Sequence, residues 1–223
     1  MMLHRYARRL VPLLIIPAIL PLLFSPSTSA ENTAGRVLVP EAWYQDHPGP
    51  YTVRVDLVVD QQWRDLYGAD SVLESQDVVN QAQQLLAPAG IQLQVVSQDT
   101  WAHDTSATTI QQLYRQLLGS RSSKGADMTV ALAAGYKGPE GGFAGSDQRH
   151  TLIKHHPYRT DRDALILTHE VGHALGLDHH NCTHLLCIMS SHDYDDKRHF
   201  CPEHLQLLAR NGGFFEYLAQ TAP

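Results

Sequence analysis

From residue 51 onward the chain changes hydrophobic period in regular blocks. YTVRVDLVVD (51–60) alternates apolar and polar residues, the pattern of a strand with one face buried. SQDVVNQAQQLLAPAG (75–90) shifts to the helical period and stops at Pro88 and Gly90, after which IQLQVV (91–96) alternates again. SATTIQQLYRQLLGS (106–120) predicts a second helix closed by Gly119, and DMTVALAAG (127–135) a buried strand. This β-α-β-α-β order predicts an α/β domain, a mixed sheet covered by helices. GPEGGFAGS (138–146) reads more simply as a surface turn than as a loop running into a short edge strand. In TDRD (160–163), Thr160 takes the N-cap position with Asp163 three residues on, a capping-box arrangement that opens a further helix at ALIL. No repeat, low-complexity tract or linker interrupts residues 31–223, which read as a single domain.

The first thirty residues stand apart. Arg5, Arg8 and Arg9 precede the apolar run VPLLIIPAILPLLF, and SPSTSA ends in small residues: the three regions of a secretory signal peptide, with cleavage expected after Ala30. The alternative is a retained N-terminal membrane anchor. Against it, the run is shorter than the ~20 residues a span needs and is broken by Pro12, Pro17 and Pro21. The mature chain is expected to be exported, periplasmic or secreted, without lasting membrane association.

Charge removes one class of partner. A net charge of −6, with no basic patch beyond the N-terminus, argues against nucleic acid. Eleven of the 14 histidines fall between His150 and His204, in the same third of the chain as all 3 cysteines, which points to metal.

The densest part of that region is HEVGHALGLDHH (169–180). On a helix His169 and His173 are one turn apart and present both imidazoles to one ion. Glu170 is displaced by ~100° around the axis, toward the open side of that ion. Gly176 can adopt a positive φ, end the helix and let His179 return as a third ligand. Three neutral imidazoles suit Zn²⁺ with one coordination position left for water, the arrangement of a catalytic site. Glu170 is then placed to take a proton from that water and pass it to a leaving amine.

HEVGHALGLDH (169–179) carries the full H-E-x-x-H-x-x-G-x-x-H signature and so resembles the metzincin metallopeptidases, with CIM (187–189) similar to the approach to their Met-turn. The resemblance implies His169, His173 and His179 as zinc ligands, Glu170 as general base and Met189 as the apolar floor beneath the metal. Asp178 has no assigned role. It also implies a zincin-like fold: a twisted, mostly parallel sheet with two long helices, the active-site helix, and a smaller irregular part after Gly176.

Within that group the chain is most similar to archaemetzincins. Their pattern runs cysteine, four residues, cysteine, the methionine, a D-x-K, an aromatic-Cys pair and a final cysteine. Here stand Cys182, Cys187, Met189 and DDKRHFCPEH (195–204), with two departures: His180 and Asn181 precede the first cysteine, and His204 replaces the last. The resemblance covers roughly residues 160 to 210. It implies a second, structural zinc held by Cys182, Cys187, Cys201 and His204, a Cys₃His set suited to a closed tetrahedral site. A Cys182–Cys187 disulfide with Cys201 unpaired is the competing reading. His180, His184, His192 and His199 read as solvated. No cysteine precedes Cys182, so no pro-segment thiol can block the catalytic metal.

Two functions compete: an exported zinc peptidase acting on a peptide or protein, and a non-catalytic exported zinc-binding protein on the same scaffold. Glu170 favours the first, because a pure binder has no need of a non-ligand carboxylate there. Endopeptidase and aminopeptidase action both remain open.

Overall fold

The structure is a computed structural model and describes residues 39–120, 125–179, 184, 186–190 and 197–221. The expected leader lies outside the described residues. No helix among those described is long and apolar enough to cross a membrane.

Strand β1 (Tyr51–Asp60) realises the alternation read above. Its Val53, Val55, Leu57 and Val59 enter one core and Val58 the other. Strands β2 (Ile91–Trp101) and β3 (Met128–Ala133) flank it in parallel. Strand β4 (Gly142–Ala144) is short, and β5 (His150–Lys154) joins β3 in parallel while taking β4 antiparallel at the edge. The order β2-β1-β3-β5-β4 gives the mixed sheet that the block order predicts.

Helices α1 (Glu41–Asp46) and α2 (Gln61–Tyr67) are short, and α3 (Ser71–Leu86) and α4 (Ile110–Ser120) follow. Helix α5 (Thr160–Ala174) carries the histidine motif, and α6 (Pro202–Asn211) and α7 (Phe214–Thr221) close the chain. One face of the sheet packs against Val78, Ala82 and Leu86 of α3 and Ile166, Leu167 and Val171 of α5. The other face, with Ala131 and Leu152, packs against Ile110, Leu113 and Leu117 of α4. Each fully buried Val, Leu or Ile among these contributes roughly 1.5–3 kcal/mol, so covering both faces fixes the layer order.

Two expectations need correction. Residues 142–144 are not a surface turn but the edge strand, because the Gly142 to Ala144 backbone pairs with Ile153 to Thr151 of β5. Thr160 is not the N-cap of α5: it is the first helical residue, and Arg159 precedes it without a side-chain cap bond. Asp163, instead of closing a capping box, turns its buried carboxylate to the end of β5. There it accepts from His156 N at 3.0 Å, from His156 Nδ1 at 2.9 Å and from His155 Nδ1. A buried carboxylate without such donors would cost on the order of several kcal/mol, so this contact outweighs a cap bond at the surface. His155 Nε2 lies 2.9 Å from the Tyr67 hydroxyl, which ties α2 into the same anchor. The start of the motif helix is thereby pinned to the sheet.

Candidate metal centres

Helix α5 is buried along its last three turns, from Asp163 through Ala174, which is why apolar and chemical residues alternate in it without an exposed polar face. Past its C-terminus, Gly176 takes φ +87°, the left-handed turn expected of it. Two side-chain amides satisfy the carbonyls left at that end: Gln148 Nε2 donates to Ala174 O and Asn211 Nδ2 to Leu175 O, each at 2.8 Å.

This turn brings the three predicted histidines together. The Nε2 atoms of His169 and His173 are 3.0 Å apart, those of His173 and His179 3.1 Å, and those of His169 and His179 2.9 Å. The other nitrogen of the first two rings is already engaged. His169 Nδ1 lies 2.7 Å from Ile188 O and His173 Nδ1 2.9 Å from Leu177 O. A carbonyl can only accept, so both protons sit on Nδ1 and both Nε2 atoms present lone pairs to the common point. Burial, and next the neighbouring His173, hold His169 well below the usual imidazole range and therefore neutral. Converging lone pairs in a buried site repel one another unless a cation lies among them. The donor set fits zinc.

Glu170 is buried beside this cluster, against the edge strand. A Cβ built on Gly142 would fall 2.6 Å from Glu170 Oε1 and 2.7 Å from Ile166 Cγ2, so glycine there is what lets β4 approach the carboxylate. Met189 is fully buried, and a Cβ on Gly172 would fall 2.6 Å from its Sδ. The glycine inside the motif thus makes room for the methionine. Neither role could be read from the sequence, because each depends on a partner that only the tertiary fold brings close.

A second cluster forms eight to twenty-five residues beyond His179. Cys187, Cys201 and His204 are buried, with His204 Nδ1 at 3.4 Å from Cys187 Sγ and 3.3 Å from Cys201 Sγ. Cys201 N donates to Cys187 Sγ at 3.3 Å. The fourth proposed member, Cys182, lies outside the described residues, so the zinc and disulfide readings both stay open there. Burial pushes the Cys201 thiol up to about 12. A hydrogen bond to Cys187 raises His204, and the Asp178 backbone adds to the rise. Asp178, without a role in the sequence, therefore touches the second cluster while its neighbour His179 belongs to the first. His184 and His199 are exposed, as expected, and His180 and His192 lie outside the described residues.

Lys197, the lysine of the D-x-K read in the sequence, had no role assigned there. It is 1% exposed, and its Nζ donates to Ile188 O at 3.4 Å and to Ser190 O.

No protein-family model matches the sequence, and no curated protein matches it either. Solved structures do resemble the fold. The crystal structure of archaemetzincin from Methanopyrus kandleri is similar at a TM-score of 0.54 and 21% identity, over 78% of this chain and 98% of that one. A chain in the structure of a chaperone-substrate complex is similar at a TM-score of 0.56 and 16% identity. That alignment covers 75% of this chain, which spans only 35% of the other. The fold, a five-stranded and mostly parallel sheet with helices, matches that of the archaemetzincin structure.

Proposed function

We propose that the chain is an exported zinc-dependent peptidase of the archaemetzincin type, with His169, His173 and His179 as ligands and Glu170 as general base. The observation that carries this reading is the convergence of three imidazole Nε2 atoms, two of them held as lone pairs by carbonyl acceptors. Zinc bound there supplies Lewis acidity and makes water acidic enough to attack a carbonyl near neutral pH. Glu170 would take the proton released and deliver it to the leaving amine, and its burial against Gly142 restricts where that carboxylate can move. His169 and His173 orient their rings through Ile188 O and Leu177 O, and Met189 fills the space under the cluster. Export rests on the leader-like first thirty residues. A structural zinc at Cys182, Cys187, Cys201 and His204 completes the proposal.

A peptide-library cleavage profile, with zinc and then with chelator, tests the activity. Glu170→Gln should keep its catalytic zinc and lose several orders of magnitude in rate. Near-wild-type hydrolysis by that variant would sink the mechanism, and zinc binding without chelator-sensitive cleavage by the wild type would leave a zinc-binding protein instead.

A further inference from the structure

The peptide that carries Met189 is held from below by a residue that no metal ligand accounts for. Lys197 is among the largest fully buried side chains, and its Nζ donates to the carbonyls of Ile188 and Ser190, the two residues flanking Met189. Ile188 O is also the acceptor that fixes the proton of His169 on Nδ1, at 2.7 Å. One carbonyl therefore serves both the ligand and the lysine. Burying a lysine is costly unless acceptors meet its ammonium, and here two backbone carbonyls do. A lysine at this place has a geometric effect: it draws two carbonyls to one point and so sets the pitch of the turn between them. That pitch aims Ile188 O at His169 and holds Met189 Sδ against Gly172.

We propose that Lys197 is a positioning residue for the three-histidine metal site, acting through the Ile188 carbonyl on the orientation of His169. This rests on the zinc reading of His169, His173 and His179. Removing partners that orient metal-bound histidines typically costs 10- to 100-fold in metal affinity, and a loss of about tenfold or more is expected for Lys197→Met. The zinc dissociation constant of the full chain is measured by competition with a chromophoric chelator for the wild type, Lys197→Met, Lys197→Gln and Lys197→Arg. Apo-protein melting is followed in parallel, together with the His169 Nδ1–H resonance in the zinc-loaded protein. Lys197→Met should keep the apo fold, bind zinc at least tenfold more weakly and shift the His169 resonance. Lys197→Arg, which retains the donors, should recover most of the affinity. Zinc affinity of Lys197→Met within threefold of wild type would overturn the proposal. So would failure of both Lys197→Met and Lys197→Gln to fold, which would assign the lysine to stability alone. A wild type whose zinc binding is unaffected by His169→Ala would instead remove the underlying reading.

Discussion

The two clusters of ligand-type side chains are both largely buried, with His179 half-buried, yet burial prepares His169 and Cys201 for metal in opposite ways. At His169 it disfavours the charged imidazolium and leaves the neutral ring, which is the form that binds a cation. At Cys201 it disfavours the charged thiolate and leaves the thiol, pushed up to about 12, which is the form that does not. The same desolvation thus makes the first cluster a site waiting for an ion and the second a site that must shed protons to accept one. Among the described residues the chain links them through Cys187, which precedes Ile188, whose carbonyl holds His169, and through the Asp178 backbone, which reaches His204 beside His179.

The hardest test of this contrast is to delete one cluster at a time. His169→Ala should abolish zinc at the first site, weakening it by several orders of magnitude, while one zinc per chain remains at the second. Cys201→Ala should give the mirror result with a lower melting temperature. Elemental analysis and intact mass under non-reducing conditions check both, and a single zinc with a Cys182–Cys187 bridge in the wild type would remove the second site.

Acidity provides the next test. Zinc uptake at the histidine cluster should change little above about pH 6.5, the ordinary imidazole value, since burial already holds His169 neutral. Uptake at the cysteine cluster should strengthen by about tenfold per pH unit for each thiol proton released. In the zinc-free protein, Cys201 has a folded value of about 12 against the ordinary 9.0. A raised value means that its contribution to stability is complete below about pH 9 and is lost as the pH climbs toward 12. Calorimetric zinc titrations in buffers of different ionisation enthalpy count the protons, and apo melting between pH 8 and pH 11, in round steps of about one unit, tests the loss.

Gly172→Ala probes the floor beneath the first cluster. Alanine gains up to about 1 kcal/mol of helix propensity, but a Cβ only 2.6 Å from Met189 Sδ forces a shift that costs about 1–3 kcal/mol. Overpacking should win, with a net loss in chemical denaturation and weaker zinc binding. Met189→Leu should be the mildest change, costing under about 1.5 kcal/mol with zinc retained. A variant that folds normally but cannot hold the metal would refute the packing role.

What could be read in advance divides along physical lines. Strand β1 and helices α3 and α4 announce themselves because each buries a stripe at its own period, and β3 because it is an unbroken buried run. Strand β5 does not: His150 and Thr151 are buried in HTLIK, with His150 Nδ1 satisfied by Asp147 at 2.5 Å, so alternation is lost. Helix α2 buries only Trp63 of QQWRDLY and leaves no stripe, and Pro202 at the start of α6 was a usable signal that went unread. The histidine triad was legible because two members are one helical turn apart and the third follows one glycine turn. The contacts of Gly142, Lys197 and the Ile188 carbonyl were not, since each is made across the fold.

The left-handed turn at Gly176 also bears on how quickly the first site can assemble. His169 and His173 come into register as soon as their helix forms, on the order of a microsecond. His179 then needs only a closure of a few residues, and loops of about ten residues close in roughly 10–100 ns. Every member of the triad lies within eleven consecutive residues, so little chain entropy opposes the last step. Ion capture should consequently run as a two-ligand encounter followed by a fast ring closure, with the rate set by arrival of the ion and its dehydration.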